Sequence, residues 1–335
     1  MLSDKILGMD IGTKNMKFVL VKSGKRAEIA DSIVVPTPEK SVFEGQIRDM
    51  EALASTIKGL VSEKKIKAKN MALSINSPYV VVREVKLPVL KTSEIAAAIE
   101  FELSQSFPGV GQTHSISYRI YKKTPDSMLG IVCFCPNKII ESYEELAEKA
   151  GVNLKYIDVH ANSVAKAYNK FVKAAESDEP VMIIDIGHLS SQIYVLIGGK
   201  VVLSRNFSGG GASVDNLVSD HLKISREEAE AQRIKNYSDL SIEPDAMEAY
   251  IRLGYAAVEE QIRQTLDFCN YNKFKDGVKG IYLSGGGCHI PGLEKYFTET
   301  FRIPSVIARP MNRSKVFPDV LADMMPAIGS ALRED

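Results

Sequence analysis

No tryptophan occurs in the chain, cysteine appears only four times, and neither charge dominates, with 42 Lys and Arg set against 42 Asp and Glu. A balanced charge leaves no overall field to gather nucleic acid or an anionic membrane, so partners must be recognised by local surfaces. No run of about 18 uncharged apolar residues occurs, and Met1-Leu-Ser-Asp-Lys is not a basic segment followed by an apolar one. A cytoplasmic protein that inserts into no membrane by itself is therefore expected. Cys133 and Cys135 alternate inside an apparent strand, while Cys269 and Cys288 stand alone, without the paired spacings of a zinc site. All four are expected as reduced core thiols.

Several enzyme classes lose support in the same way. His114, His160, His188, His221 and His289 fall in no H-x-x-x-H arrangement, and no G-x-S-x-G is present, so metallohydrolase and serine-hydrolase chemistry is disfavoured and these histidines are expected to be surface or satisfied groups. There is no G-x-x-x-x-G-K-[ST] loop, and no G-x-G-x-x-G follows a first strand, which disfavours the two commoner nucleotide folds. What is present is material for a core: 335 residues, 45% of them hydrophobic, enough for one large bilobal body or two domains.

The informative pattern is an internal duplication. Ile6-Leu-Gly-Met-Asp10-Ile-Gly12-Thr-Lys-Asn-Met-Lys-Phe18 returns as Val181-Met-Ile-Ile-Asp185-Ile-Gly187-His-Leu-Ser-Ser-Gln-Ile193, an offset of 175 residues. Gly24-Lys25 falls on Gly199-Lys200, and each turn leads into another β-rich run, Ile29 to Val35 and Val201 to Phe207. Each copy reads as strand, Asp-x-Gly turn, strand, turn, strand. Helical stripes lie between: Ile95, Ile99, Leu103 and Phe107, opening near Thr92 or Ser93 and stopped by Pro108-Gly109; Ile140, Tyr143, Ala147 and Ala150, closed by Gly151; and Val164, Tyr168, Phe171 and Ala175, before the polar linker Glu176 to Pro180.

An aspartate that ends a buried strand beside a glycine can sit at the lip of a cleft, and the glycine lets backbone N–H groups approach phosphate oxygens. One Asp-x-Gly could be a turn and nothing more. Two copies at matching positions point to a pair of turns gripping one polyphosphate. Thr13, Lys14, Asn15 and Lys17 accompany the first, and His188, Ser190 and Ser191 the second, with Asp10 and Asp185 placed to hold Mg²⁺ through water. A third glycine turn, Ser284-Gly285-Gly286-Gly287, precedes a helix opening near Pro291, and Gly209-Gly210-Gly211 leads into the stripe Val214, Leu217, Val218, Leu222. Ser225, with Glu228 three residues on, caps a charged helix that carries Glu230 and Arg233.

Asp10-Ile-Gly-Thr13, Asp185-Ile-Gly187, Leu283-Ser-Gly-Gly-Gly287 and Ala327-Ile-Gly329 together resemble the phosphate-1, phosphate-2, adenosine and connect-2 motifs of the actin-like (ASKHA) superfamily. Val85-Lys-Leu-Pro88, Glu100-Phe-Glu102 with Phe107-Pro108, Glu228-Ala-Glu230 and Glu260-Gln-Ile-Arg263 narrow the resemblance to the PilM family, actin-like cytoplasmic proteins of type IV pilus assembly that are similar to the division protein FtsA. The resemblance implies an α/β fold, actin-like and ribonuclease H-like, duplicated into two lobes with an FtsA-type 1C subdomain. It divides the chain into 1–78 as subdomain 1A, completed by 156–178 and a C-terminal helix 326–335; 79–155 as 1C; 179–213 with 272–325 as 2A; and 214–271 as 2B.

The same resemblance implies ATP (or ADP) with Mg²⁺ between the lobes and a nucleoside contact from Glu230 and Arg233, where Arg stands for the family's Lys; His188-Leu189 departs from the Gly-Gly of FtsA and Hsp70 at phosphate 2, so at most slow hydrolysis is expected. It implies the cytoplasmic N-terminal tail of a PilN-like inner-membrane protein as partner, with room for other pilus proteins including the assembly ATPase, and hence a place at the inner face of the membrane. Asn162 is the only candidate for orienting an attacking water. Two alternatives share the superfamily: an FtsA-like filament, against which stands an ending at Ala331-Leu-Arg-Glu-Asp335 with no amphipathic helix after connect 2, and a small-molecule kinase, for which no motif supplies a substrate base.

Overall fold

The computed structural model describes residues 5–22, 27–63, 66, 70–173, 178–235, 237, 239–240, 242–272, 277–310 and 318–332. Gly24-Lys25, Ala175 and the first two linker residues, Glu176 and Ser177, lie outside the described residues.

The first lobe opens with β1 (Lys5–Ile11), β2 (Asn15–Lys22) and β3 (Glu28–Pro36), a small hairpin of β4 (Val42–Phe43) and β5 (Gln46–Ile47), helix α1 (Met50–Glu63) and β6 (Asn70–Ile75). After β7 (Val81–Leu87), α2 (Thr92–Ser104), α3 (Val110–Thr113), β8 (His114–Lys123) and β9 (Met128–Pro136), the chain returns through α4 (Asn137–Ala150), β10 (Leu154–Val159) and α5 (His160–Phe171). The second lobe comprises β11 (Val181–Ile186), β12 (Ser190–Ile197), β13 (Lys200–Ser208), four helices α6 (Gly211–Leu222), α7 (Arg226–Ile234), α8 (Pro244–Gly254) and α9 (Ala256–Asn272), then β14 (Gly280–Ser284), α10 (Leu293–Phe301), β15 (Ser305–Ile307) and α11 (Pro318–Ala331).

The duplication is visible in strand order. One sheet runs β10-β6-β1-β2-β3 and the other β15-β14-β11-β12-β13, with matching parallel and antiparallel neighbours. Register matches as well: Asp10 lies opposite Lys17 and beside Ser74, as Asp185 lies opposite Gln192 and beside Ser284. β1 and β11 are central strands buried on both faces, which explains their near-continuous apolar runs.

Between the two sheets lies a floor made by α5 and α11. Val164, Tyr168, Met325 and Ile328 pack there against Ile6, Val19 and Ala72 of one sheet and Ile183, Tyr194 and Leu196 of the other, so one core runs through both lobes. Fully burying each such aliphatic side chain contributes about 1.5–3 kcal/mol. Glycine sets how closely these parts meet: a Cβ on Gly329 would fall 1.7 Å from the Ser163 carbonyl oxygen, and one on Gly8 1.9 Å from that of Ala327.

β7, β9 and β8 form a separate three-stranded sheet with its own core, in which Ile95, Ile99 and Leu103 of α2 meet Val85, Val132 and Phe134. α2 ends at Ser104, so Phe107 lies past the helix and is partly exposed. α4 closes at Gly151 with φ +69°, as its missing Cβ allows. The buried face of α4, including Tyr143 and Leu146, joins Met9, Leu53, Ile57 and Leu73 in the core of the first sheet. The three-stranded sheet and its helices span Val81 to Pro136, inside the 79–155 expected for the insertion. In the second lobe, α6 to α9 share one core with the sheet, where Val214, Tyr250, Val258 and Ile262 meet Ile184 and Leu283. Ser225 caps α7 as its sequence suggests, its Oγ accepting the Glu228 N–H at 3.1 Å. Among the described residues, no helix is long and apolar enough to cross a membrane.

Candidate functional site

The two Asp-x-Gly turns close identically, Gly12 N–H donating to the Asn15 carbonyl and Gly187 N–H to that of Ser190, each at 3.0 Å. They border one cleft of about 800 Å³. Asp10, Gly12, Thr13, Lys14, Asn15 and Lys17 line it from the first lobe. Asp185, Gly187, His188 and Ser190 line it from the second, with Glu230 and Arg233 of α7 and Gly286 and Gly287 of the third glycine turn.

Gly210, Gly211 and Gly285 stand behind this surface instead of on it. A Cβ on Gly210 would meet the Gly187 and His188 carbonyl oxygens at 2.6 Å, one on Gly211 the Arg233 guanidinium at 2.9 Å, and one on Gly285, whose φ is +79°, the Asp185 Oδ1 at 2.4 Å. They let the walls stack tightly and hold Asp185 in place. Ser191 is likewise buried and donates to the Gly209 carbonyl at 2.6 Å.

The carboxylates of Asp10 and Asp185 are both buried, one from each lobe. Lys17 Nζ lies 3.7 Å from Asp10 Oδ2. Burial presses this ammonium toward losing its proton, but Asp10, Asp185 and Asp323 outweigh it and hold its pKa above the ordinary lysine value. Lys14 reaches across the cleft to Glu230, Nζ to Oε2 at 2.6 Å. Arg233 points the other way: its Nε donates to Asp215 Oδ1 and Oδ2 at 2.9 and 3.1 Å and its Nη1 to the Gly286 carbonyl, while the Tyr237 hydroxyl donates to Asp215 Oδ1 at 3.0 Å. Its guanidinium thus fastens α7 to the glycine turn, and the carboxylate offered to a ligand is that of Glu230.

Two buried polar atoms bordering the cleft have no hydrogen-bond partner, His188 Nδ1 and Gln192 Nε2. Burial lowers the His188 pKa, with the Glu230 carboxylate 3.8 Å away opposing it, so the ring is neutral at pH 7. Unmatched buried donors and acceptors call for a ligand or water. Glycine turns, two lysines, two facing carboxylates and these orphan atoms together suit a polyphosphate with a hard cation, which prefers oxygen donors.

Sequence reasoning missed three residues here. His160, the first residue of α5, borders the cleft, with Nδ1 2.7 Å from the Tyr194 hydroxyl and Nε2 3.3 Å from Asp185 Oδ2. His289 Nε2 meets Asp323 Oδ1 at 2.8 Å, both residues also bordering the cleft. The sequence signal for the two histidines is position, His160 directly after a strand and His289 two residues past Gly287; Asp323 has none. Asn162 is corrected: its Nδ2 donates to both Asp158 oxygens, at 2.9 and 3.1 Å, and the residue lines a different cavity, because two residues along α5 turn it about 200° away from the cleft that His160 faces.

That second cavity, about 270 Å³, lies between β8 and β9, α5 and the turn at Gly199. Tyr118, Arg119 and Tyr121 border it from the three-stranded sheet, and Asp158 and Lys166, paired at 2.7 Å, from the first lobe.

Comparison with known proteins accords with this architecture. A family model described as type IV pilus assembly protein PilM matches residues 8–333. The cell division protein FtsA of Streptococcus pneumoniae is 22% identical over 88% of this chain and 73% of its own length. The cell shape-determining protein Mbl of Bacillus subtilis is 22% identical over 58% of this chain and 68% of its own. A chain of the PilM-PilN type IV pilus biogenesis complex superposes with a TM-score of 0.81 at 20% identity, covering 97% of both chains. MreB5 of Spiroplasma citri bound to ADP gives 0.57 at 15% identity, covering 98% of this chain and 96% of its own. These likenesses show an actin-like fold.

Proposed function

The chain belongs to the PilM family of type IV pilus assembly proteins, and from that premise we propose that it holds ATP with Mg²⁺ between its lobes and docks the cytoplasmic N-terminal tail of a PilN-like inner-membrane protein. The observation that carries the nucleotide reading is the placement of two duplicated turns, with Asp10 and Asp185, on opposite sides of one cleft. The N–H groups of the turns, Lys14 and Lys17 would bind phosphate oxygens, Asp10 and Asp185 would hold the cation through water, and Glu230 would meet the ribose. With a triphosphate between the turns, Lys14 would exchange Glu230 for phosphate oxygens and the two walls would close by a hinge motion.

At most slow turnover is part of this reading, and the surroundings of His160 support it. With the Tyr194 hydroxyl donating to Nδ1, Nε2 carries the ring proton and donates to Asp185 Oδ2, so no lone pair remains to orient a water. The chain then works as a nucleotide-bound platform component, recruited to the inner face of the membrane by the tail it binds. The division into subdomains 1A, 1C, 2A and 2B belongs to the same proposal, and the 270 Å³ cavity between the three-stranded sheet and α5 is the tail's docking place, its polar and aromatic lining suited to an extended peptide.

Calorimetric titration tests both parts. ATP with Mg²⁺ should bind the purified chain saturably and Asp10→Ala should weaken it at least about 10-fold, the cost of losing one carboxylate at a metal. The tail peptide should bind in the micromolar range or tighter, and Arg119→Ala should weaken the peptide while leaving the nucleotide unchanged. Absence of saturable binding of either ligand would overturn the corresponding part. Sedimentation with and without ATP separates this platform from an FtsA-like filament, which alone would pellet.

A further inference from the structure

We propose that Cys288, His289 and Asp323 form a second metal site, for a borderline-soft divalent ion such as Zn²⁺, separate from the Mg²⁺ expected between Asp10 and Asp185. One thiol sulfur, one ring nitrogen and one carboxylate oxygen from these residues lie within 4.8 Å of one another. Sulfur and imidazole nitrogen beside a single carboxylate suit Zn²⁺ and disfavour Mg²⁺, which takes oxygen.

The backbone explains why they converge. Gly286–His289 is one 3-10 turn, pinned by the Cys288 N–H donating to the Gly285 carbonyl at 3.0 Å. At three residues per turn, neighbouring side chains leave the axis about 120° apart, so Cys288 and His289 flank one point at the turn's edge and the third ligand comes from a facing element. α11 supplies it through Asp323, whose Oδ1 is 2.8 Å from His289 Nε2. Tetrahedral Zn²⁺ with metal–ligand distances of about 2.0–2.2 Å would part that nitrogen and oxygen by only roughly half an ångström more.

Charge and exposure agree. A thiolate, a carboxylate and a neutral imidazole around a divalent ion sum to zero, the arrangement that burial penalises least. Burial, then Asp323 and Asp185, push the Cys288 thiol well above its ordinary pKa, so without an ion it stays protonated. On binding, the sulfur–metal bond forms as the thiol proton leaves to solvent, and the His289 ring proton moves to Nδ1 to free Nε2. Cys288 is fully buried, whereas His289 and Asp323 border the cleft. The fourth coordination position therefore opens toward the cleft, for water or an anionic oxygen. The ion would tie the second lobe's glycine turn to the helix that floors both lobes.

Co²⁺ titration of the full nucleotide-free chain tests this, because thiolate ligation gives a near-ultraviolet charge-transfer band. The band should appear in the wild type, vanish on adding Zn²⁺, and persist when Cys133, Cys135 and Cys269 are all replaced by Ser. Cys288→Ser should abolish it, and His289→Ala and Asp323→Asn, at partly exposed positions that tolerate change, should weaken Co²⁺ affinity at least about 10-fold. No band in the wild type, a band unchanged in Cys288→Ser, or affinities unchanged in both His289→Ala and Asp323→Asn would each overturn the proposal.

Discussion

Replacing Arg233 by Met would leave the carboxylate of Asp215 stranded, since both residues are almost fully buried, at 5% and 3% exposure. The substitution removes the Nε bonds to Asp215 and the Nη1 bond to Gly286, leaving Asp215 only the Tyr237 hydroxyl at 3.0 Å. Breaking a buried pair in this way costs about 3–5 kcal/mol, most of it from the uncompensated charge. At roughly 2 °C per kcal/mol, the lower end for chains of a few hundred residues, Tm should fall by about 6–10 °C. Asp215→Asn alone should also destabilise, by stranding the guanidinium. The double variant Arg233→Met with Asp215→Asn buries no charge, so its cost should fall short of the sum of the singles by about 1–3 kcal/mol. Urea unfolding followed by circular dichroism measures all three. Strict additivity of the two substitutions would refute the reasoning, because it would mean that the groups do not sense each other's charge.

Gly329→Ala should destabilise by about 1–3 kcal/mol or more, since the new Cβ would enter the Ser163 carbonyl and force α5 from α11. Gly59→Ala, within α1 and with nothing within 4 Å of the added carbon, should instead stabilise by about 0.5–1 kcal/mol. The same melts compare the two. His188 predicts an acid-side loss of stability: its folded pKa lies below that of the unfolded chain, which takes up the proton first. Its contribution is therefore intact above about pH 6.5 and lost as pH falls through the lowered value; stability measured against pH should be flatter on that side in His188→Gln.

The phosphate turns, the repeat behind them and the cap at Ser225 were legible because each is written in local sequence: an aspartate and glycine at fixed spacing, a serine three residues before a glutamate. The stripes of α2 and α5 were legible for the same reason, through Ile95, Ile99, Leu103, Val164 and Tyr168. What stayed hidden depends on contacts between distant segments. α4 shows an apolar face in its sequence, but nothing there says that Tyr143 and Leu146 face the first sheet in place of the three-stranded one. His160 draws its meaning from Tyr194 and Asp185 in the other lobe, and Asp323 from His289, pairs separated by 34 residues or less yet set together only by the floor helices. Arg233 reads as a ligand contact in sequence because α7 aims it at the cleft; Asp215, one helix earlier, claims it first.

The paired turns match in backbone but not in cargo. Where the first carries Lys14 and Lys17, the second carries Leu189 and Gln192 at the same steps of the repeat. The two turns share one backbone plan, yet Asp10, Lys14 and Lys17 leave the first side net positive while Asp185 leaves the second net negative. Anything held there must lie with its negative end toward the older-numbered strand pair, so the jaw imposes a heading on its guest, and exchanging the two halves would yield a protein of the same shape that grips backwards.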